Sequence, residues 1–431
     1  SCGIFYTIRL GFPQVRYFTQ LVPNLWKASR DSSGVSAFGA LCSAIGSEVG
    51  AGSLVGVATA LASGGPGAIF WMWITAILGM PIMFGEAVLA QIFRVKNEDG
   101  TTFRGGPAYY MRRGLNAKVL PVLFSISVIL GNGVVYCMVQ SNSIAGSFSG
   151  QAALPPLAIG AVLVMLVGLV IFGGIKRLST VASYIVPFMA FAYIILALIV
   201  LVTHAEWIAD MLRLIIESAF GVQQAAGGVL GYTVQEAFRY GVARGVFSNE
   251  AGMGSAPIAA AAAKTDHPVR QALVSMTGTF LDTIIVCSIT GIVLVMGILQ
   301  SNGGAFAVPD LKGAALTTAT FDAMLSGYGG WVVTIGLIFF AYSTTLGWCY
   351  YGEKCATYVF GDKSVPMYRV IYVATVMLGT VLSLDMVWAA ADTFNGLMAV
   401  PNLIALLLLS KVIVQETRDF KAKRASGELD Y

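Results

Sequence analysis

An all-α polytopic membrane protein is the fold class this sequence predicts: two inverted five-helix repeats, each opening on a discontinuous helix, after a truncated N-terminal helix. Three observations predict it. The 431-residue chain is 57% hydrophobic and 11% charged, where a soluble domain carries about a quarter charged residues. Its lysines and arginines fall on alternate loops. Two of its apolar stretches, each opening one half of the chain, are interrupted by glycines and a carboxylate.

Taken in order, residues 1–35 read as the tail of an apolar helix (Ser1–Phe12) followed by a polar, basic connector with Pro13 and Pro23 lying on the membrane surface. The chain begins without Met, so an N-terminal piece is expected to be missing and no signal peptide can be assessed. The first repeat, 36–203, opens with the broken stretch Ser36–Ala62. Gly64-Gly65-Pro66-Gly67 makes a turn, and Ala68–Phe93 crosses back. Arg94–Lys118 is a hydrophilic basic loop. Val119–Phe148, Pro155–Ile175 and Val181–Thr203 complete this half. Residues 204–227 are too polar to span, but Trp207, Met211, Leu214 and Ile215 recur at helical spacing, as in an extracellular surface helix. The second repeat, 228–414, opens with Gly228–Ala263 and continues through Val269–Gln300. A Gly-rich loop leads to Gly330. Trp331–Tyr358, Tyr368–Leu384 and Met386–Val414 follow, then a basic tail, 415–431.

Ten crossings place 22 of the 26 Lys and Arg on the side of Arg94–Lys118, two on the other side and two inside 228–263. The positive-inside rule makes that side, and the C-terminus, cytoplasmic. A missed crossing would invert every later loop, so the asymmetry supports the helix count. Because five is odd, the two halves have opposite orientation. The repeat rests on spacing and hydropathy, since no residue-level identity links the halves. The six cysteines have no metal-ligand spacing and read as free core residues.

The first interruption reads Ile45-Gly46-Ser47-Glu48-Val49-Gly50-Ala51-Gly52-Ser53-Leu54-Val55-Gly56. Each glycine costs about 1 kcal/mol of helix propensity relative to alanine, and a carboxylate at membrane depth costs roughly 2.5–3.5 kcal/mol. Close helix packing by small residues is one explanation. The other is a helix unwound in mid-membrane, which backbone tolerates only where it is buried in protein or lines a cavity. Phe247-Ser248-Asn249-Glu250-Ala251-Gly252-Met253-Gly254-Ser255 repeats the pattern in the second half. A half-helix N-terminus suits a carboxylate, while freed carbonyls suit an ammonium group or Na⁺. One zwitterionic amino acid plus a monovalent cation satisfies both ends.

Other polar residues lie on other spans. Tyr342-Ser343-Thr344-Thr345 places three hydroxyls in one turn, to face a site or to bond back to their own helix. Gln140 and Asn142 face the site or tie helices together. Asp392 is read as pairing with an arginine, Glu48 with Arg239 or Arg244, and Asp282 has no assignable partner. Trp71, Trp73 and Trp348 read as packing or interfacial residues. No repeated selectivity loop speaks for a channel. No triad, metal motif or nucleotide loop speaks for an enzyme, and no nucleic-acid partner is expected.

At these residues the chain resembles the alanine or glycine:cation symporter family, the sodium:alanine symporters, over essentially its whole length. The resemblance is carried by Gly64-Gly65-Pro66-Gly67-Ala68-Ile69-Phe70-Trp71-Met72-Trp73, Arg104-Gly105-Gly106-Pro107 with Tyr109-Tyr110, and Phe247–Pro257. Leu346-Gly347-Trp348 with Tyr351-Gly352-Glu353-Lys354, and Asn395–Asn402, add to it. It implies a leucine-transporter-like fold and symport of a small neutral amino acid with Na⁺ across the cell (inner) membrane. Carried over by residue, Gly46, Val49, Ser343 and Thr344 would hold Na⁺. Ser47, Ala51, Gly52, Gln140, Phe247, Ser248, Asn249, Gly252 and Thr345 would bind the substrate. One departure falls in the site: family members commonly read Arg-Val-Gly-Thr-Gly-Asn where this chain has Glu48-Val49-Gly50-Ala51-Gly52-Ser53. A proton-coupled carrier using Glu48, or a non-transporting receptor of the same fold, are the alternatives.

Overall fold

A computed structural model describes residues 1–20, 42, 45–97, 102–148, 151–152, 154–221, 233–325 and 327–429. The start of the first expected span, the second half of the N-terminal connector and the 222–232 entry to the second repeat lie outside them. Among the described residues the regular structure is helical apart from one pair of short strands, β1 (Val95–Lys96) and β2 (Phe103–Arg104), which run antiparallel.

The N-terminal helices are α1 (Cys2–Arg9) and α2 (Pro13–Arg16). The chain continues with α3 (Gly52–Gly64), α4 (Gly67–Ile92), α5 (Pro107–Gly114), α6 (Leu120–Ser147), α7 (Pro156–Ile171) and α8 (Gly174–Thr203). Next come α9 (Ile208–Ala219), α10 (Val234–Asn249), α11 (Ala256–Ala262) and α12 (Pro268–Ser301). The C-terminal part holds α13 (Gly313–Met324), α14 (Gly329–Phe360), α15 (Val365–Gly379), α16 (Leu384–Leu408) and α17 (Ser410–Ala425).

Among the described residues, six helices are long and apolar enough to cross a membrane: α4, α6, the 180–203 part of α8, α12, α14 and α16. The remaining expected crossings are the two interrupted ones and two shorter apolar helices, α7 and α15. The interrupted pair packs at the centre of the bundle, where α10 lies along α3 and α4. Around the two breaks, residues 46–57 and 247–256 are all buried, whereas the first turns of α10 are exposed at Val234, Phe238 and Arg239.

Two stretches differ from expectation. The loop before Gly330 contains α13, whose Leu316, Thr317, Thr318, Thr320 and Phe321 are all buried. A helix covered on several faces shows no contrast between apolar and polar sides, so its period is silent in sequence. The basic tail is helical from Ser410 to Ala425. It is held to the start of α12 by His267, whose Nδ1 accepts from Val269 N–H while Nε2 lies 3.2 Å from Asp419 Oδ2. Lys423 and then His267 hold the Asp419 carboxyl below its ordinary range. The surface helix after Thr203 is present as α9, with Met211, Leu214 and Ile215 turned inward. All six cysteines are free and buried.

Candidate binding site at the two helix breaks

The first break is narrower than the sequence suggested. Residues 45–48 are helical, Val49 and Gly50 form a bend, and the chain restarts with a π-helical turn, Gly52–Gly56. The bend is possible because Gly50 lies against α14, so closely that a Cβ would collide with the Thr344 hydroxyl. The absence of a side chain there lets two helices touch where backbone is exposed. The bend turns carbonyls toward α14: Thr344 Oγ1 lies 2.9 Å from Gly46 O and 3.3 Å from Val49 O. Ser343 Oγ lies 3.1 Å from the same Gly46 O. Two carbonyls and two hydroxyls, the set carried over for sodium, therefore converge in one buried place.

The second break begins where α10 ends at Asn249. Glu250 takes a left-handed conformation, φ 56°, and helix resumes at Ala256. Its amides are gathered by Glu86, a carboxylate on α4 that sequence reasoning passed over. Glu86 accepts from Gly252 N–H (3.2 Å) and Gly254 N–H (3.1 Å). Asn402 Nδ2 donates to Glu86 (2.5 Å) and to Gly252 O (2.9 Å). Glu250 accepts from Ser255 Oγ and from the Trp348 indole N–H. Trp348 is thus a clamp on the break as well as a packing residue. The signal for Glu86 was available, since it is a carboxylate in an apolar span like Glu48.

The two breaks meet. Ser53 Oγ donates to Asp282 Oδ1 at 2.5 Å and lies 3.2 Å from Ser248 Oγ. Asp282, left without a partner by the sequence, also accepts from Thr283 Oγ1 at 2.8 Å. A Cβ on Gly52 would stand 3.2 Å from both Phe247 Cδ1 and Ser248 Cα. Phe247 stacks edge-on against Trp388, Tyr136 and Trp348. On the α6 side, Gln140 Oε1 accepts from Ala51 N–H at 2.9 Å, while its fully buried Nε2 has no partner.

Of the residues expected to bind substrate, Ala51, Gly52, Gln140, Phe247 and Ser248 come together. Ser47 turns to α14, its Oγ 2.5 Å from Tyr351 OH. Asn249 bridges Thr283 Oγ1 and Ala251 N–H. Gly252 is held in the Glu86–Asn402 clamp, and the Thr345 hydroxyl bonds back to Ala341 O at 2.7 Å. Asn142 ties α6 to Gly379 O and Leu382 O.

One expectation is corrected. Glu48 pairs with neither Arg244 nor Arg239. Arg244 forks onto both carboxylate oxygens of Asp392, at 2.6 and 2.9 Å, over the Trp388 ring. Arg239 lies over Tyr240. Glu48 faces the other way, against Gly278 of α12, with both carboxylate oxygens buried and unpartnered. The bidentate fork onto Asp392 uses the geometry in which a guanidinium binds best. Since Arg244 is 2% exposed but the Asp392 side chain is 37% exposed, Asp392→Asn removes the counter-charge of a buried cation while leaving an amide oxygen and water within its reach. It is expected to destabilise the protein by about 1–2 kcal/mol, between the values for exposed and fully buried pairs, read as a lower thermal midpoint in detergent; an unchanged midpoint refutes the pairing's role.

Among known proteins, the family model described as the sodium:alanine symporter family matches residues 1–431. The chain is 48% identical over 429 residues to the sodium/alanine symporter AgcS of Methanococcus maripaludis, covering 98% of this chain and 93% of that protein. It is 40% identical over 431 residues to the probable sodium/glutamine symporter GlnT of Bacillus subtilis, covering 99% and 88%. Among solved structures, MhsT in complex with L-phenylalanine shares its fold, with a TM-score of 0.61 at 13% identity, covering 90% of this chain and 99% of that one.

Proposed function

The chain belongs to the sodium:alanine symporter family and is a multi-pass membrane transporter, and from that premise we propose how its own residues carry out Na⁺-coupled symport of a small neutral amino acid. The observation that carries the proposal is the convergence of Gly46 O, Val49 O, Ser343 Oγ and Thr344 Oγ1 at the first bend. Four hard oxygens in a buried place suit Na⁺, and two of them exist as free ligands only because the helix is interrupted.

The substrate carboxylate takes the start of α3. There Ala51 N–H exchanges Gln140 for the incoming carboxylate, and the unpartnered Gln140 Nε2 supplies a second donor. The partial positive charge of the helix start favours the same end. Phe247 walls the far side, and the Gly52–Ser248 contact leaves space for a small side chain only. The Glu86–Asn402 clamp fixes the second break as backbone, and the ammonium group takes carbonyls of that break other than Gly252 O and Glu250 O, which already accept from Asn402 Nδ2 and Met253 N–H.

Two inverted repeats, 36–203 and 228–414, a cytoplasmic C-terminus and inward transport complete the proposal. They are supported by the position of the two breaks and by the Lys and Arg asymmetry. The relatives are transporters, and a carrier without catalysis is the reading that this family membership supports.

The test is uptake of labelled alanine, glycine and glutamine into proteoliposomes with and without an inward sodium gradient. Uptake of at least one that requires sodium is the expected result. Sodium-independent uptake driven by a proton gradient would move coupling to Glu48. Binding without flux would make the protein a receptor.

A further inference from the structure

We propose that an anionic phospholipid, from the leaflet on the chain's basic side, occupies the groove between α6 and α16, its acyl chain in the groove and its phosphate at Lys118 and Lys411. The groove measures about 500 Å³ and is lined by Leu120, Leu123 and Ser127 of α6 and by Gly396, Leu397 and Ile404, among others, of α16. From Thr393 to Ile404 the α16 side runs about 16 Å at 1.5 Å per residue. That is about half the roughly 30 Å hydrocarbon core, the depth of one leaflet.

Three features select a lipid chain over other occupants. The two hydroxyls in the groove are satisfied by their own helices, Ser127 by Leu123 O and Thr393 by Ala389 O, so nothing inside asks for a polar ligand. Gly396 forms open floor, with no atom within 4 Å of a Cβ built there. One mouth of the groove is basic. Lys118 is exposed two residues before Leu120, Arg112 reaches Ala117 O, and Lys411 is exposed just past the end of α16. A Cβ on Gly114 would touch the Leu409 side chain at 3.0 Å, which joins the 112–118 segment to that end of α16. Residues 101–120 and 404–415, which flank Lys118 and Lys411 in sequence, contain no Asp or Glu; the next acid along the chain is Glu416.

The site is tested with delipidated full-length protein in detergent, titrated with dioleoyl-phosphatidylglycerol or dioleoyl-phosphatidylcholine while the thermal midpoint is followed. Phosphatidylglycerol is expected to raise the midpoint at lower concentration than phosphatidylcholine. In the double variant Lys118→Gln/Lys411→Gln its apparent affinity is expected to fall about fivefold per lost charge, about 25-fold in all. Gly396→Phe fills open space, so it keeps the fold and is expected to abolish the response to both lipids. Equal responses to the two lipids in the unmutated protein overturn the proposal, as does an undiminished phosphatidylglycerol response in Gly396→Phe. Disulfide-linked dimers from Leu397→Cys in bilayers would also overturn it, by assigning the groove to a second copy.

Discussion

Gly52→Leu is expected to abolish uptake, at least a hundredfold, while the protein still reaches the membrane. The position has no room for a side chain. Even a Cβ would press at 3.2 Å on Phe247 and on the Ser248 backbone. The ring could swing aside, but the Ser248 Cα belongs to the end of α10 and can move only if the two breaks separate. A leucine therefore forces apart the Ala51–Gln140 and Ser248 sides that are proposed to enclose the substrate. Gly52→Ala grades the effect, because one methyl asks for a shift of a few tenths of an ångström, and partial uptake is expected. Measuring uptake beside membrane abundance for both variants separates a lost site from lost protein. Near-normal transport by Gly52→Leu would show that the Gly52 contact has no part in transport.

Thr344→Val is expected to raise the sodium concentration for half-maximal uptake about tenfold or more. Its hydroxyl lies nearest the two freed carbonyls, 2.9 and 3.3 Å away, and valine keeps the shape while removing the oxygen. Because linkage is reciprocal, the substrate's apparent affinity at fixed sodium should fall by the same coupling factor. Glu48→Gln is the companion variant. Glu48 points away from this cluster, toward Gly278, so its loss should leave the sodium curve of uptake in place. A sodium curve unmoved by Thr344→Val would remove the four-oxygen site from the mechanism. A curve shifted by Glu48→Gln alone would move coupling to the carboxylate.

Much of this protein follows from its sequence without a fold in hand. Hydropathy determines that it is a membrane protein, because bilayer thickness acts on composition alone, and loop charge gives the expectation of which loops share a side. Glycines with a carboxylate in mid-span point to both breaks within a few residues, but the pattern alone does not make a break, since α4 carries Gly79, Gly85 and Glu86 in an unbroken helix. What sequence could not decide are pairings across distance. Arg244 had two acids within plausible reach, and only packing turned it to Asp392 and left Glu48 against Gly278. Glu86 and Asn402 are 316 positions apart, yet together hold the second break. The helix α13 is hidden in sequence because burial on several faces removes its amphipathic period. Sequence fixes what each residue can offer a neighbour; which neighbour it meets is set by the packing of helices far apart in the chain.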